Sequence, residues 1–258
     1  MTILKTIAVA FAMFSRIPMP VFPWEKDTLR YLLCAFPLVG AVIGLVCWGW
    51  TVLCGWLAAP ALLRAAGLCG LPVLLTGGIH LDGFCDTWDA LSSHAGPERK
   101  QEILKDPHVG AFAVIHLCLY FTVTLALWSA LPVYPPVVVL LTFCLSRSLS
   151  GLAVAVFPLA RDTGLAHTFS SAADKKTVAA VLTVLSAALV AAMGLAGKGM
   201  AGWLSAAAAL LVFLSYRFMA LRSLGGLSGD LAGWFLQTAE LWMLAALELA
   251  ALLGGALS

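Results

Sequence analysis

Charge is scarce in this sequence. Of 258 residues only 13 are acidic and 15 basic, 11% in all, against roughly 25% in ordinary soluble domains. A chain so poor in charge lacks the polar side chains to cover a soluble domain. With 62% hydrophobic residues and a mean hydropathy of +0.98 it reads as an integral membrane protein. The net charge of +2 excludes a nucleic-acid partner held by a basic surface. Seven cysteines form no CxxC pair, so neither a zinc site nor a disulfide framework is indicated. They read as small buried hydrophobes, although Cys85 sits inside an acidic motif. No internal repeat is detectable, which weighs against an inverted-repeat transporter. A signal-peptide cleavage site is missing too: Lys5 and the apolar Thr6 to Phe14 run directly into Arg16, Pro18 and Pro20. Leu4 to Ser15 is therefore expected to be a short interfacial or re-entrant helix that stays in place.

What is present is a series of apolar runs at about 31–57, 61–79, 109–131, 135–157, 177–195, 200–220 and 233–254, each near the roughly 20 residues that a bilayer needs. The expected fold is all-α: a polytopic membrane helix bundle of about seven transmembrane helices plus the N-terminal helix, one integral membrane domain over 1–258. The first run is long enough to tilt or break at Pro37. Intervening segments around 22–30, 80–108, 158–176 and 221–232 hold Lys26, Arg30, Arg99, Lys100, Lys105, Arg161, Lys175, Lys176 and Arg222. Those around 58–60, 132–134 and 196–199 hold only Lys198. The positive-inside rule puts the charged set in the cytoplasm. With the N-terminus inside, seven crossings place the C-terminus outside.

Nearly all the acids share that side, and they concentrate in HLDGFCDTWD, His80 to Asp89. Asp82, Asp86 and Asp89 stand four and three residues apart, so a helix presents all three on one face. Like charges repel there unless a cation sits against them, and hard oxygen donors one turn apart suit Mg²⁺ or Mn²⁺ better than zinc or copper. The plainer alternative is that the acids cap and solvate a loop after the second span. Asp106 is the nearest spare carboxylate. Gly96-Pro97 starts a turn, and Glu98 to Leu104 are strong helix formers. His80 is read either as a metal, phosphate or proton-transfer group or as a hydrogen-bonded helix-end residue, and His116 as a helix-to-helix hydrogen bond within a span.

Two ionisable groups fall inside spans, where they face a stiff cost: Arg147 needs an anion and Glu240 a cation or a proton. Either they pair with each other or Arg147 faces a phosphate in a cavity open to the cytoplasm. GGLSGDLAG, Gly225 to Gly233, reads as a backbone loop leading into a helix whose first turn carries Asp230. RDTGLAHTFS, Arg161 to Ser170, reads as a polar turn facing substrate.

Four stretches together, FSRIPMP (Phe14 to Pro20), GGIHLDGFCDTWDAL (Gly77 to Leu91), KDPHVGAFAV (Lys105 to Val114) and GGLSGDLAG, resemble the cobalamin synthase family, the membrane-bound adenosylcobinamide-GDP ribazoletransferases. The resemblance spans nearly the whole chain in the same order. It implies condensation of adenosylcobinamide-GDP with α-ribazole or its 5′-phosphate, the ribose 3′-OH attacking phosphorus and GMP leaving. It also implies Mg²⁺ dependence, a bacterial or archaeal inner membrane with the active site facing the cytoplasm, and corrinoid, ribazole and lipid as partners, with homo-oligomers or association with other corrinoid-assembly enzymes left open. On this footing Asp82, Asp86, Asp89 and Asp106 are the expected metal ligands, with Asp89 or Asp86 also taking the attacking hydroxyl's proton. His80, Lys105, Arg147, Arg161, Asp230 and Glu240 are the expected substrate contacts. The chain departs from the family pattern at Ala90, where glycine is usual, and at Pro107-His108, where a Ser-Arg-type pair is usual. A more distant resemblance to CDP-alcohol phosphatidyltransferases lacks the Ala-Arg pair expected after Asp-Gly. A divalent-cation transporter would place its acids near mid-membrane, where only Glu240 lies.

Overall fold

Lipid offers the backbone no hydrogen-bond partner, so apolar runs of this length close their bonds internally as helices. The computed structural model describes residues 2–131, 135–197 and 199–256. The connection at 132–134 and Lys198, both assigned above to the less charged side, lie outside the described residues. In chain order the helices are α1 (Thr2–Phe14), α2 (Lys26–Leu29), α3 (Leu32–Trp56), α4 (Ala61–Thr76), α5 (Ile79–Ser92), α6 (Pro97–Ile103), α7 (Ala111–Ala130), α8 (Pro136–Val156), α9 (Leu165–Ala172), α10 (Lys175–Ala196), α11 (Ala201–Ser223) and α12 (Gly229–Ala256). Among the described residues the one extended pairing is an isolated bridge between Leu159 and Leu227.

Six helices (α3, α7, α8, α10, α11 and α12) are long and apolar enough to cross a membrane, and α4 with α5 makes a seventh if that bent pair counts as one broken span. The expected all-α, multi-pass bundle is what the chain forms, with α1 as the short apolar helix at its start. α8 is the most enclosed of the long helices and α7 the most peripheral. Pro37 lies within α3 without ending it.

Three segments differ from the sequence-based expectation. The acidic stretch is the helix that its spacing implied, not the alternative capped loop, and it differs in burial: Ile79–Ser92 buries His80, Leu81, Gly83, Phe84, Cys85, Thr87 and Ala90. A hydropathy scan passes over it because its polar face lowers the average. The RDTGLAHTFS turn is short and runs at once into α9. The last span starts at Gly229 rather than 233, because the Ser228 hydroxyl accepts the Leu231 N–H at 3.1 Å and so caps the helix.

The break between α4 and α5 is built by two glycines. Gly77 and Gly78 both take the left-handed conformation, φ +68° and +81°, which strains any residue with a Cβ. The chain turns by 96° there. The Arg16 N–H donates to the Leu75 carbonyl at 2.7 Å, tying the segment after α1 to the same corner. Further along that end of the bundle, Arg30 donates to Asp174 at 2.9 Å and Leu227 pairs with Pro158 and Ala160. The connections that precede α3, α7, α10 and α12 thus converge at one end.

Candidate active site

Two helices approach at that end as closely as backbones allow. A Cβ on Gly83 of α5 would lie 2.6 Å from the Asp230 carbonyl oxygen, and one on Gly233 of α12 would lie 2.6 Å from the His80 carbonyl oxygen. Small residues spaced this way let helices pack backbone to backbone, which fixes the groups they carry. The carboxylates of Asp82 and Asp230 therefore come from different parts of the chain yet stand on one rigid crossing.

The crossing opens on a cavity of about 430 Å³. His80, Asp82, Arg161, Ser228 and Asp230 line it, together with the N-terminal turn of α12. Asp86, one turn along α5, is half-buried and feels the charges of Asp82, Asp230 and Asp89. Asp230 feels Arg161 as well as Asp82. Among the described residues neither Asp82, Asp86 nor Asp230 has a side-chain hydrogen bond or salt bridge. Here, then, are three acids that repel one another, compensated by a single guanidinium at longer range.

Arg161 is itself held in place. Its Nε–H donates to the Gln101 side-chain oxygen and its Nη2 to the Gln101 backbone carbonyl at 3.2 Å, while the Gln101 amide donates to the Leu224 carbonyl. A single glutamine on α6 thus ties together the three segments around the cavity mouth. Nothing in the sequence marks Gln101, because its role depends on contacts 60 and 123 residues away. The aromatic lining contributed by Phe36 was equally silent, whereas Phe14 belongs to the FSRIPMP stretch and Phe169 to the RDTGLAHTFS turn.

The remaining sequence-based candidates lie elsewhere. Both oxygens of Asp89 are engaged, accepting the N–H of Gly110 at 2.7 Å and of Ala113 at 2.8 Å, so this acid caps α7 from the neighbouring helix. Asp106 accepts the His108 N–H at 2.9 Å and contacts its ring at 2.7 Å; both side chains are exposed and outside the cavity lining. Those hydrogen bonds, the backbone one first, hold the Asp106 carboxyl below the usual carboxylate range. Lys105 is exposed and also outside the lining. Arg147 and Glu240 pair with each other deep in the bundle, 1% and 10% exposed, with Ser146 donating to the same Glu240 oxygen at 2.9 Å. Neither lines the cavity. Among the described residues His116 makes no hydrogen bond to another helix: its Nδ1–H reaches the Phe112 carbonyl on its own helix at 2.8 Å, and its ring stacks on Trp88 at 3.9 Å.

Comparison with known proteins identifies the family. The family model described as CobS, cobalamin-5-phosphate synthase, matches residues 6–248. The chain belongs to the cobalamin-5-phosphate synthase family. It is 42% identical over 240 residues to the adenosylcobinamide-GDP ribazoletransferase of Lachnoclostridium phytofermentans, covering 92% of this chain and 91% of the relative. It is similar to the proteins of the same name from Desulfitobacterium hafniense, 34% identical over 93% of this chain and 95% of the relative, and from Ectopseudomonas mendocina, 36% identical over 93% and 97%. No solved structure matches the chain. All four stretches on which the cobalamin synthase resemblance rested fall inside the matched region.

Proposed function

We propose that the cavity is the active site of a Mg²⁺-dependent transferase that joins adenosylcobinamide-GDP to α-ribazole or its 5′-phosphate, at the cytoplasmic face of the membrane. The observation that carries this is the set of three carboxylates, Asp82, Asp86 and Asp230, left without a partner of opposite charge beside a cavity that also holds Arg161. Uncompensated acids are costly at a membrane boundary and mark a cation or substrate path.

Among the described residues no group of three or more His, Cys, Asp or Glu side chains is gathered tightly enough to hold a metal by itself. That suits magnesium, which takes one or two carboxylates and completes its shell with water and substrate phosphates. The donor set fits: Asp82 and Asp230 are hard oxygen ligands on the cavity wall, with Asp86 behind them. When bound there, the ion would neutralise charge on the diphosphate and on the leaving GMP.

The chain's own groups do the rest. The Gly83–Gly233 crossing holds the acids in fixed positions, so little reorganisation accompanies reaction. Arg161, anchored by Gln101, meets phosphate oxygens with a guanidinium whose orientation is already set. The first N–H groups of α12 point the positive end of a long helix at the same place. The ribazole hydroxyl oxygen attacks the phosphorus that carries the cobinamide, the bond from that phosphorus to GMP breaks, and Asp86 takes the hydroxyl proton. Asp89, which the sequence offered first for that proton, is instead occupied in holding the start of α7.

Purified protein in nanodiscs is the test. GMP is expected from adenosylcobinamide-GDP and α-ribazole when Mg²⁺ is present, and neither GMP without Mg²⁺ nor CMP from CDP-diacylglycerol and an alcohol. CMP release without GMP release would replace this activity with that of a phospholipid synthase.

A further inference from the structure

The cavity lining is chemically mixed, and apart from the acids it carries a cluster of aromatic rings. Phe14 from the end of α1, Phe36 from α3, His80 from α5 and Phe169 from α9 all belong to it. Their rings are in mutual contact, with centroids 4.2 Å apart for Phe14 and Phe36, 5.6 Å for Phe14 and Phe169, and 5.7 Å for Phe36 and His80. Four elements distant in sequence deliver one ring each to one place. Within this lining His80 is only 6% exposed, and its Nε2 is buried with no hydrogen-bond partner. A nitrogen buried in that way is destabilising until something bonds to it.

We propose that this aromatic cluster seats the planar base of the acceptor nucleoside, with His80 Nε2 bonding the one unsubstituted ring nitrogen of a benzimidazole. The proposal rests on the ribazoletransferase activity above and says which substrate the cluster takes. Size supports it first. A volume of about 430 Å³ falls near the low end of the roughly 300–1,000 Å³ of cavities that enclose small molecules. A nucleoside fits such a space, whereas a corrin macrocycle is several times too large and stays outside with only its phosphate arm entering.

Chemistry supports it second. A benzimidazole nucleoside offers two apolar π-faces and a single ring acceptor, and this cluster offers stacked rings and a single orphan nitrogen. Guanine carries several donors and acceptors on its edge, and phenylalanine rings would leave them unbonded. The base of the GMP leaving group is therefore the poorer occupant. With the base on the aromatic cluster, the ribose hydroxyls extend toward Asp82 and Asp230, where the phosphorus must be.

The test uses the full-length protein in nanodiscs with free benzimidazole, indole and guanosine as probes. Benzimidazole is expected to compete with α-ribazole while leaving KM for adenosylcobinamide-GDP unchanged. Indole has no unsubstituted acceptor nitrogen and is expected to compete about ten-fold more weakly, the scale of one buried hydrogen bond. Phe169→Leu, which keeps an apolar side chain and removes the ring, should raise KM for α-ribazole at least about five-fold, as loss of a base-stacking platform does. KM for the GDP substrate should stay within about two-fold. Competition of benzimidazole with the GDP substrate, or with neither substrate, overturns the assignment, as does guanosine displacing α-ribazole more strongly than benzimidazole. These wild-type measurements stand even if Phe169→Leu does not fold. Binding followed by tryptophan fluorescence without turnover separates the two ideas. Benzimidazole bound by wild type and not by Phe169→Leu, in a protein that releases no GMP, supports the seat and overturns the transferase activity.

Discussion

Two regions of this molecule place charge in apolar surroundings and resolve it in opposite ways. At the middle of α8 and α12, Arg147 and Glu240 are almost completely enclosed and pair with each other, with Ser146 joining the pair. At the crossing of α5 and α12, Asp82 and Asp230 line a cavity with Asp86 one turn behind, and among the described residues no cation is in contact with any of the three. The enclosed pair neutralises its own charge. An open cluster retains the capacity for a ligand, at a cost in stability that the close glycine packing around it absorbs.

The comparison is broken most directly by neutralising one side of each region. Asp82→Asn should lower GMP release by about 10² to 10³-fold, the scale seen when one preorganised electrostatic contact to the reacting group is lost. It should leave thermal stability unchanged or slightly raised, since it removes a repulsion; a clear fall in melting temperature contradicts the open-cluster interpretation. Arg147→Met should do the reverse. Leaving Glu240 buried without its partner costs about 3–5 kcal/mol, read as loss of folded protein in detergent. The double change Arg147→Met with Glu240→Leu should recover most of it. A stable single variant with impaired turnover would put Arg147 back among the substrate contacts.

Asp89 sharpens the contrast from within the acidic motif. Asp89→Ala should cost about 1–2 kcal/mol through the lost cap of α7. Asp89→Asn, which keeps an acceptor, should retain GMP release within about ten-fold, while Asp86→Asn should not. The opposite order would return the proton to Asp89.

The smallest effect is expected outside both regions. Asp174 caps α10 and accepts from Arg30, whose hydrogen bond holds its carboxyl below the usual range. Its folded pKa lies below its unfolded one, so the stabilisation is present above about pH 4 and is lost as pH falls through the depressed value. Melting temperatures of wild type and Asp174→Asn should therefore differ slightly at pH 6 and converge near pH 3. A gap that widens on acidification would contradict that linkage.

Much of the fold was legible because apolar runs of spanning length admit only helices, and each of the seven runs holds one. α5 was legible in its spacing of acids but not in its burial, which depends on Gly83 meeting α12 across 147 residues of sequence. Asp82 and Asp230 were both visible as candidates. Their juxtaposition was not, since no local pattern reports a crossing of two helices. Arg147 and Glu240 illustrate the reverse case: lone charges in spans read equally well as ligands or as a pair, and only the packing of α8 on α12 decides. Gln101 carries no signal at all, being an ordinary polar residue on a short helix until Arg161 and Leu224 arrive beside it.

Binding of Mn²⁺, a spectroscopic substitute for Mg²⁺, measured by electron paramagnetic resonance in nanodiscs with a non-hydrolysable GDP analogue present, tests the central assignment without relying on turnover. Wild type and Arg147→Met with Glu240→Leu should bind the ion alike, while Asp82→Asn and Asp230→Asn, folded to the same melting temperature as wild type, should bind it at least about ten-fold more weakly. Equal Mn²⁺ affinity in all four proteins would contradict the assignment of these acids to a divalent cation.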